Sequence, residues 1–167
     1  MKPHRFSVKL PCLPSDESFI VFTYLGEKSK GGKQALGKAV KKDGKAVDAI
    51  FFEDVFISKK DVNGNWLPPV GIDAINTINH DASVSVSHDG NKLFLYRNVG
   101  SGKGDIYESN RIGNTWTTPV KLRGINSTEW EGSLCLFPDE KHIVFSSERK
   151  DGLGGRDLWI AEQMPDG

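Results

Sequence analysis

Three acids of this chain, Asp81, Glu129 and Glu131, are the groups best placed by type to do chemistry. A glycoside hydrolase would need two carboxylates about 5–10 Å apart, but no spacing here singles out a pair. The four histidines (His4, His80, His88, His142) lack metal-ligand spacing, and His88 reads as a turn residue. Cys12 and Cys135 each stand four residues before a turn aspartate, with no partner for a nucleophile or a zinc site. They read as small buried apolar residues, too far apart in the fold for a disulfide. No Gly-x-Ser-x-Gly elbow occurs. What remains is recognition. Trp130, between two acids, offers a surface for stacking, and Arg97, Lys103, Arg149 and Arg156 sit in or beside glycine-containing loops. The sequence therefore predicts no catalytic residue, no metal and no cofactor. It predicts a binding set of His80, Asp81, Arg97, Lys103, Glu129, Trp130, Glu131, Arg149 and Arg156.

Short strands must position these residues. Ser83–Ser87 (SVSVS) alternates as a half-buried strand does and stops at His88-Asp89-Gly90, a tight-turn signal. Leu93–Tyr96 is a second, apolar strand, closed by GSGKG. Asp105–Ser109 is a third, and Gly113-Asn114 turns into a fourth around Trp116, Val120 and Leu122. Equivalent pieces follow at Ser133–Glu140, Ile143–Ser146, DGLGG and Asp157–Ile160. Others precede at Pro14–Glu17, Ile20–Thr23, Asp54–Ser58 and Gly64-Asn65-Trp66. By residue number, Asp89 and Asp139 are 50 apart, Asp54 and Asp105 are 51, Asp105 and Asp157 are 52, and Trp66 and Trp116 are 50. A period near fifty with four strands per unit predicts a β-propeller.

The expected architecture is all-β: a partial propeller of about three four-stranded antiparallel blades, the last without its outer strand. Blades fall at about 5–72, 79–124 and 130–167 in a single 167-residue domain. Known propellers close with about four to eight blades. The sequence is therefore expected to belong to a longer propeller whose remaining blades close the ring, or else to pair with a second copy. Trp66, Trp116 and Trp159 recur with the units and are expected between blades. The first unit breaks the period. Tyr24 to Asp54 takes 30 residues, where Tyr96 to Asp105 takes 9. The Lys-rich insertion at 25–50 carries Lys28, Lys30, Lys33, Lys38, Lys41, Lys42 and Lys45 against Asp43, and reads as a solvated loop or a docking site for an anionic partner.

The motif set resembles the TolB-type, WD-like propeller repeat. Asp-Gly or Asp-Glu turns, Phe145-Ser146-Ser147-Glu148-Arg149, a GxGG loop, Asp-Leu-Trp or Asp-Ile-Tyr third strands and Trp116–Leu122 (WTTPVKL) carry that resemblance across nearly the whole chain. The first unit departs most, with Arg5 or Val8 where the others place Asp81 and Glu131. The resemblance implies a Gram-negative cell-envelope setting, periplasmic or outer-membrane-associated, and a module that docks other envelope proteins. Ser109–Trp116 also resembles the Asp-box turn of sialidases, with Arg111 in place of the aspartate. That box is structural even in sialidases. It therefore points to a propeller and not to catalysis; the alternative reading of the whole chain is a fragment of a propeller-fold carbohydrate-active enzyme.

Composition bounds the partner. Formal net charge is zero and 37% of residues are hydrophobic, so there is no global electrostatic drive toward nucleic acid. No run approaches the roughly 18 apolar residues of a membrane span, and MKPHRFSVKL has no apolar stretch of a signal peptide. Strand parity places the tight turns at Asp16, Asp89, Asp139, Gly64 and Gly113 on one face, and all of the predicted binding set on the other. The expected function is non-catalytic: an interaction module that holds a protein or glycan partner on this loop face.

Overall fold

The computed structural model describes residues 7–34, 40–42, 45–47, 51–99 and 103–165. Among these it is all-β, without a helix. Three antiparallel meanders hold most of the strands. The first contains β1 (Ser7–Cys12), β2 (Phe19–Leu25), β5 (Glu53–Lys59) and β6 (Val70–Gly71) in the order β1-β2-β5-β6. The second contains β7 (His80–Val86), β8 (Lys92–Asn98), β9 (Gly104–Ile112), β10 (Thr115–Trp116) and β11 (Val120–Lys121), with both β10 and β11 paired to β9. Pro119 interrupts its outer strand, because proline has no N–H to give to the ladder. The third contains β12 (Glu131–Leu136), β13 (His142–Ser147) and β14 (Asp157–Glu162). None of the three closes into a barrel.

Period-two side-chain alternation explains how the sheets stack. In β8, Leu93 and Leu95 face the first sheet and join Phe19, Val21, Val55, Ile57, Ile72, Ile75 and Trp116 in one buried cluster. The next residue over, Phe94, faces the third sheet and packs with Ile106, Ile125, Leu134 and Phe145. The second sheet is thus covered on both sides, and β8 needs an unbroken apolar run. By contrast β14 alternates, with Leu158 (76%) and Ile160 (70%) exposed on its outer side. Corresponding positions are fixed by one shared backbone bond per sheet. Lys60 N–H donates to Ser18 O at 2.9 Å, Arg111 N–H to Asn91 O at 2.7 Å, and Gln163 N–H to Lys141 O at 2.8 Å. The first strand of every sheet also carries a register shift, at Lys9/Cys12, Ser83/Ser85 and Glu131/Ser133.

Two expectations change. Trp66 is 47% exposed rather than core, and Lys60 Nζ stands 5.0 Å above its ring. Trp116 is buried and Trp159 packs against the second cluster, as expected. The Lys-rich insertion is not wholly loop. It contains a two-stranded ribbon, β3 (Val40–Lys42) on β4 (Lys45–Val47), with Lys42 opposite Lys45. Asp43-Gly44 between those strands is a strong hairpin sequence. Residues 35–39, 43–44 and 48–50 of the insertion, with Lys38 and that Asp43-Gly44 pair, lie outside the described residues.

Candidate functional site

Two connecting segments of similar sequence, Ile75-Asn76-Thr77 and Ile125-Asn126-Ser127, build the loop face. The side-chain amide of Asn76 pairs with both backbone groups of Val55: Val55 N–H donates to Oδ1 at 2.7 Å, and Nδ2 donates to Val55 O at 2.9 Å. Asn126 does the same to Ile106 at 2.7 and 2.8 Å. Each amide mimics a strand residue and fixes the segment to the preceding sheet.

The next residue holds a buried acid. Thr77 donates its N–H and its hydroxyl to Asp81 Oδ2 at 2.6 and 2.7 Å. Ser127 donates its N–H to Glu131 Oε2 at 2.9 Å and its hydroxyl to Oε1 at 2.7 Å. Both carboxylates have no exposed surface. A guanidinium completes each site. Arg97 Nε donates to Asp81 Oδ1 at 2.5 Å and Nη2 to Ile75 O at 2.6 Å. Arg149 Nη2 donates to Ile125 O at 2.6 Å and lies 3.6 Å from Glu131 Oε1, while Ser147 Oγ donates to that oxygen at 2.7 Å. Each arginine stacks on the third strand of its own sheet: Arg97 over Tyr107 at 4.9 Å, Arg149 over Trp159 at 5.1 Å. The first sheet pairs Val8 with Tyr24 at this place.

The structure therefore divides the predicted binding set. Asp81, Arg97, Glu131 and Arg149 are brought together, but as scaffold, their hydrogen-bonding capacity largely taken by neighbours. The residues that sequence reasoning missed are Asn76, Thr77, Asn126 and Ser127. The signal was present, as Ile-Asn-Thr/Ser followed four residues after the Thr or Ser by an acid, twice and fifty residues apart.

Of the other members, Lys103 and Arg156 are exposed and His80, Glu129 and Trp130 half-buried. Lys103 Nζ reaches Glu129 Oε2 at 2.6 Å and Thr128 O at 3.0 Å, and this hydrogen bond holds the Glu129 carboxyl below its ordinary range. Arg156 lies 4.0 Å over the Trp130 ring and bonds Glu148 at 2.8 Å. Tyr96 approaches the same ring at 6.2 Å. A Cβ on Gly132 would sit 1.7 Å from Trp130 Cζ2, so a larger residue there would displace the indole. Lys103, Glu129, Trp130 and Arg156 thus form one continuous ridge. His80 stands apart, against the first sheet. Its ring contacts Phe52 at 4.9 Å, and Gln34 Nε2 meets its Nε2 at 2.5 Å.

Beside His80, two adjacent carboxyls of β5 are driven in opposite directions. Glu53 is lowered to about 2, chiefly by its hydrogen bond with His80 and then by Lys9. Asp54 is raised to about 6, chiefly by burial and secondarily by the Asp81 charge, although Lys30 N–H donates to its Oδ2 at 2.6 Å. Its Oδ1 is buried without a partner. Lys30 Nζ turns back to Asn76 O at 2.9 Å, so part of the lysine run is tied to the scaffold. The Cys12 thiol is raised to about 11 by burial and, less, by Cys135, which disfavours the reactive thiolate.

Among the described residues no group of three or more His, Cys, Asp or Glu could hold a metal ion, and no helix is long and apolar enough to cross a membrane. No family model matches the chain, and no curated protein matches it.

Proposed function

We propose that this chain is a non-catalytic binding module: a TolB-type partial β-propeller of about three blades that holds a protein or glycan partner on its loop face, in the periplasm or at the outer membrane. The observation that carries the reading is the contrast on that face. Asp81 and Glu131 are buried and each accepts several hydrogen bonds, so neither is free to trade protons with a substrate. The ridge above them, Lys103, Glu129, Trp130 and Arg156, is a cation–aromatic surface on a stiff base, of the kind that anchors partners.

The test is a binding screen of the intact chain against bacterial glycans, muropeptides and purified envelope proteins, repeated with the Trp130→Ala, Arg156→Ala double variant. The double variant should keep the wild-type melting temperature within a few degrees and lose about tenfold or more in affinity. Hydrolysis of chromogenic glycosides that disappears in Asp81→Asn or Glu131→Gln would overturn the proposal.

A further inference from the structure

Three arginines on the loop face lie over aromatic rings, and they differ in where their donors go. Arg97 is 10% exposed and gives Nε to Asp81 and Nη2 to Ile75 O. Arg149 is 24% exposed and gives Nε to Ser147 Oγ and Nη2 to Ile125 O. Each of these two ties a connecting segment to its sheet. Arg156 ties nothing of the kind. It lies 4.0 Å over Trp130 and gives Nε to Glu148 Oε1 at 2.8 Å, yet its side chain stays 62% exposed. Neither of its Nη groups has an acceptor among the described residues.

The two anchors of Arg156 belong to the inner strands of its sheet. Glu148 follows β13 and Trp130 precedes β12, so the side chain runs back across the strand ends, away from the outer edge of β14. Tyr96, in β8 of the second sheet, lies 6.2 Å from the same indole. Stacking and the Nε bond hold the guanidinium in place before any partner arrives, so little side-chain freedom is lost on binding. With Nε taken, its remaining donors are the Nη pair, a planar fork that matches the two oxygens of one carboxylate.

We propose, resting on the reading of this face as a binding module, that the ridge takes a carboxylate side chain from an acidic segment of a partner polypeptide, with the Nη pair of Arg156 as its receptor. Two features select that partner. Trp130 offers no open platform for a sugar ring, because Arg156 covers it and Gly132 lies so close that a Cβ there would meet Cζ2 at 1.7 Å. The indole is the base on which the receptor rests. Charge decides between oxyanions. Arg156 and Lys103 are each already paired with an acid, Glu148 and Glu129, so the ridge has donors to offer and little spare positive charge. A monoanionic carboxylate suits it better than a dianionic phosphate.

The probe is an acetylated, amidated peptide of alternating glutamate and glycine, whose only charges are side-chain carboxylates, titrated into the isotopically labelled chain. The indole N–H of Trp130 and the amides of Thr128, Glu129 and Arg156 should shift. The same peptide with glutamine for glutamate should bind at least about tenfold more weakly. Arg156→Lys keeps the charge and loses the fork; at so exposed a position it should keep the melting temperature and weaken binding about tenfold. Equal affinity of the two peptides, or of the two proteins, overturns the proposal. So do shifts confined to the lysine-rich insertion, where charge alone would draw the peptide. If chitotriose moves the ridge signals and the glutamate peptide does not, the carboxylate assignment fails and the binding-module reading stands. A ridge that responds to neither probe, and to no member of the binding screen, overturns both.

Discussion

Asp81 and Arg97 form the most enclosed ion pair among the described residues, with side-chain exposures of 0% and 10%. Arg97→Ala would leave a buried charge held only by Thr77, and breaking such a pair costs about 3–5 kcal/mol. Arg149 is more exposed, at 24%, and stands farther from its acid. Arg149→Ala should therefore cost clearly less than Arg97→Ala in denaturant unfolding, and the reverse order would refute the scaffold role given to the pair. Asp54 supplies a pH signature. Its folded pKa, about 6, lies above its ordinary 3.8, so the folded state holds the proton more tightly. Stability from this group is therefore present below about pH 4 and is lost as pH rises through 6. Asp54→Asn keeps an acceptor for Lys30 N–H and removes the charge. It should raise the melting temperature at pH 8, by roughly 2–4 °C for each kcal/mol relieved, and leave it unchanged near pH 3. Equal gains at both values would mean that the carboxyl does not titrate as described. Glu53 beside it works the other way, stabilising above about pH 4.5 and losing that contribution toward pH 2.

At the scale of elements, the turn between the first two strands of each sheet needs the same backbone conformation and receives different residues. Positive φ falls at Glu17 (51°), Gly90 (72°) and Glu140 (55°), each the residue after the turn aspartate. A residue with a Cβ is strained by about 1 kcal/mol or more in this region, and glycine is not. Glu140 gains something in return, since its Oε1 accepts His88 N–H at 3.1 Å from the neighbouring turn. Glu17 has only a loose ion pair with Lys60 at 3.5 Å, its side chain 69% exposed. Glu17→Gly should therefore stabilise the chain by about 0.5–1 kcal/mol in chemical denaturation, and a loss of stability would show that the ion pair outweighs the strain.

At the scale of the whole molecule, the second sheet is packed on both faces, against the first through Leu93 and Leu95 and against the third through Phe94. The strands, their order and their tight turns were legible in the sequence, because alternation, glycine turns and a spacing near fifty are local signals that survive without coordinates. The sequence did not separate scaffold from rim within the predicted binding set. Asp81 and Glu129 look alike as letters, yet one is enclosed by Thr77 and Arg97 and the other reaches Lys103 at the surface, a distinction set by neighbours far apart in the chain. Trp66 and Trp116 likewise share a motif and a spacing. Trp116 is buried because the first sheet lies against its face, whereas Trp66 is half exposed beneath Lys60. Local chemistry determined which residues form strands and turns. Burial, and with it the role of every charged or aromatic side chain here, was decided by which sheet packs on which.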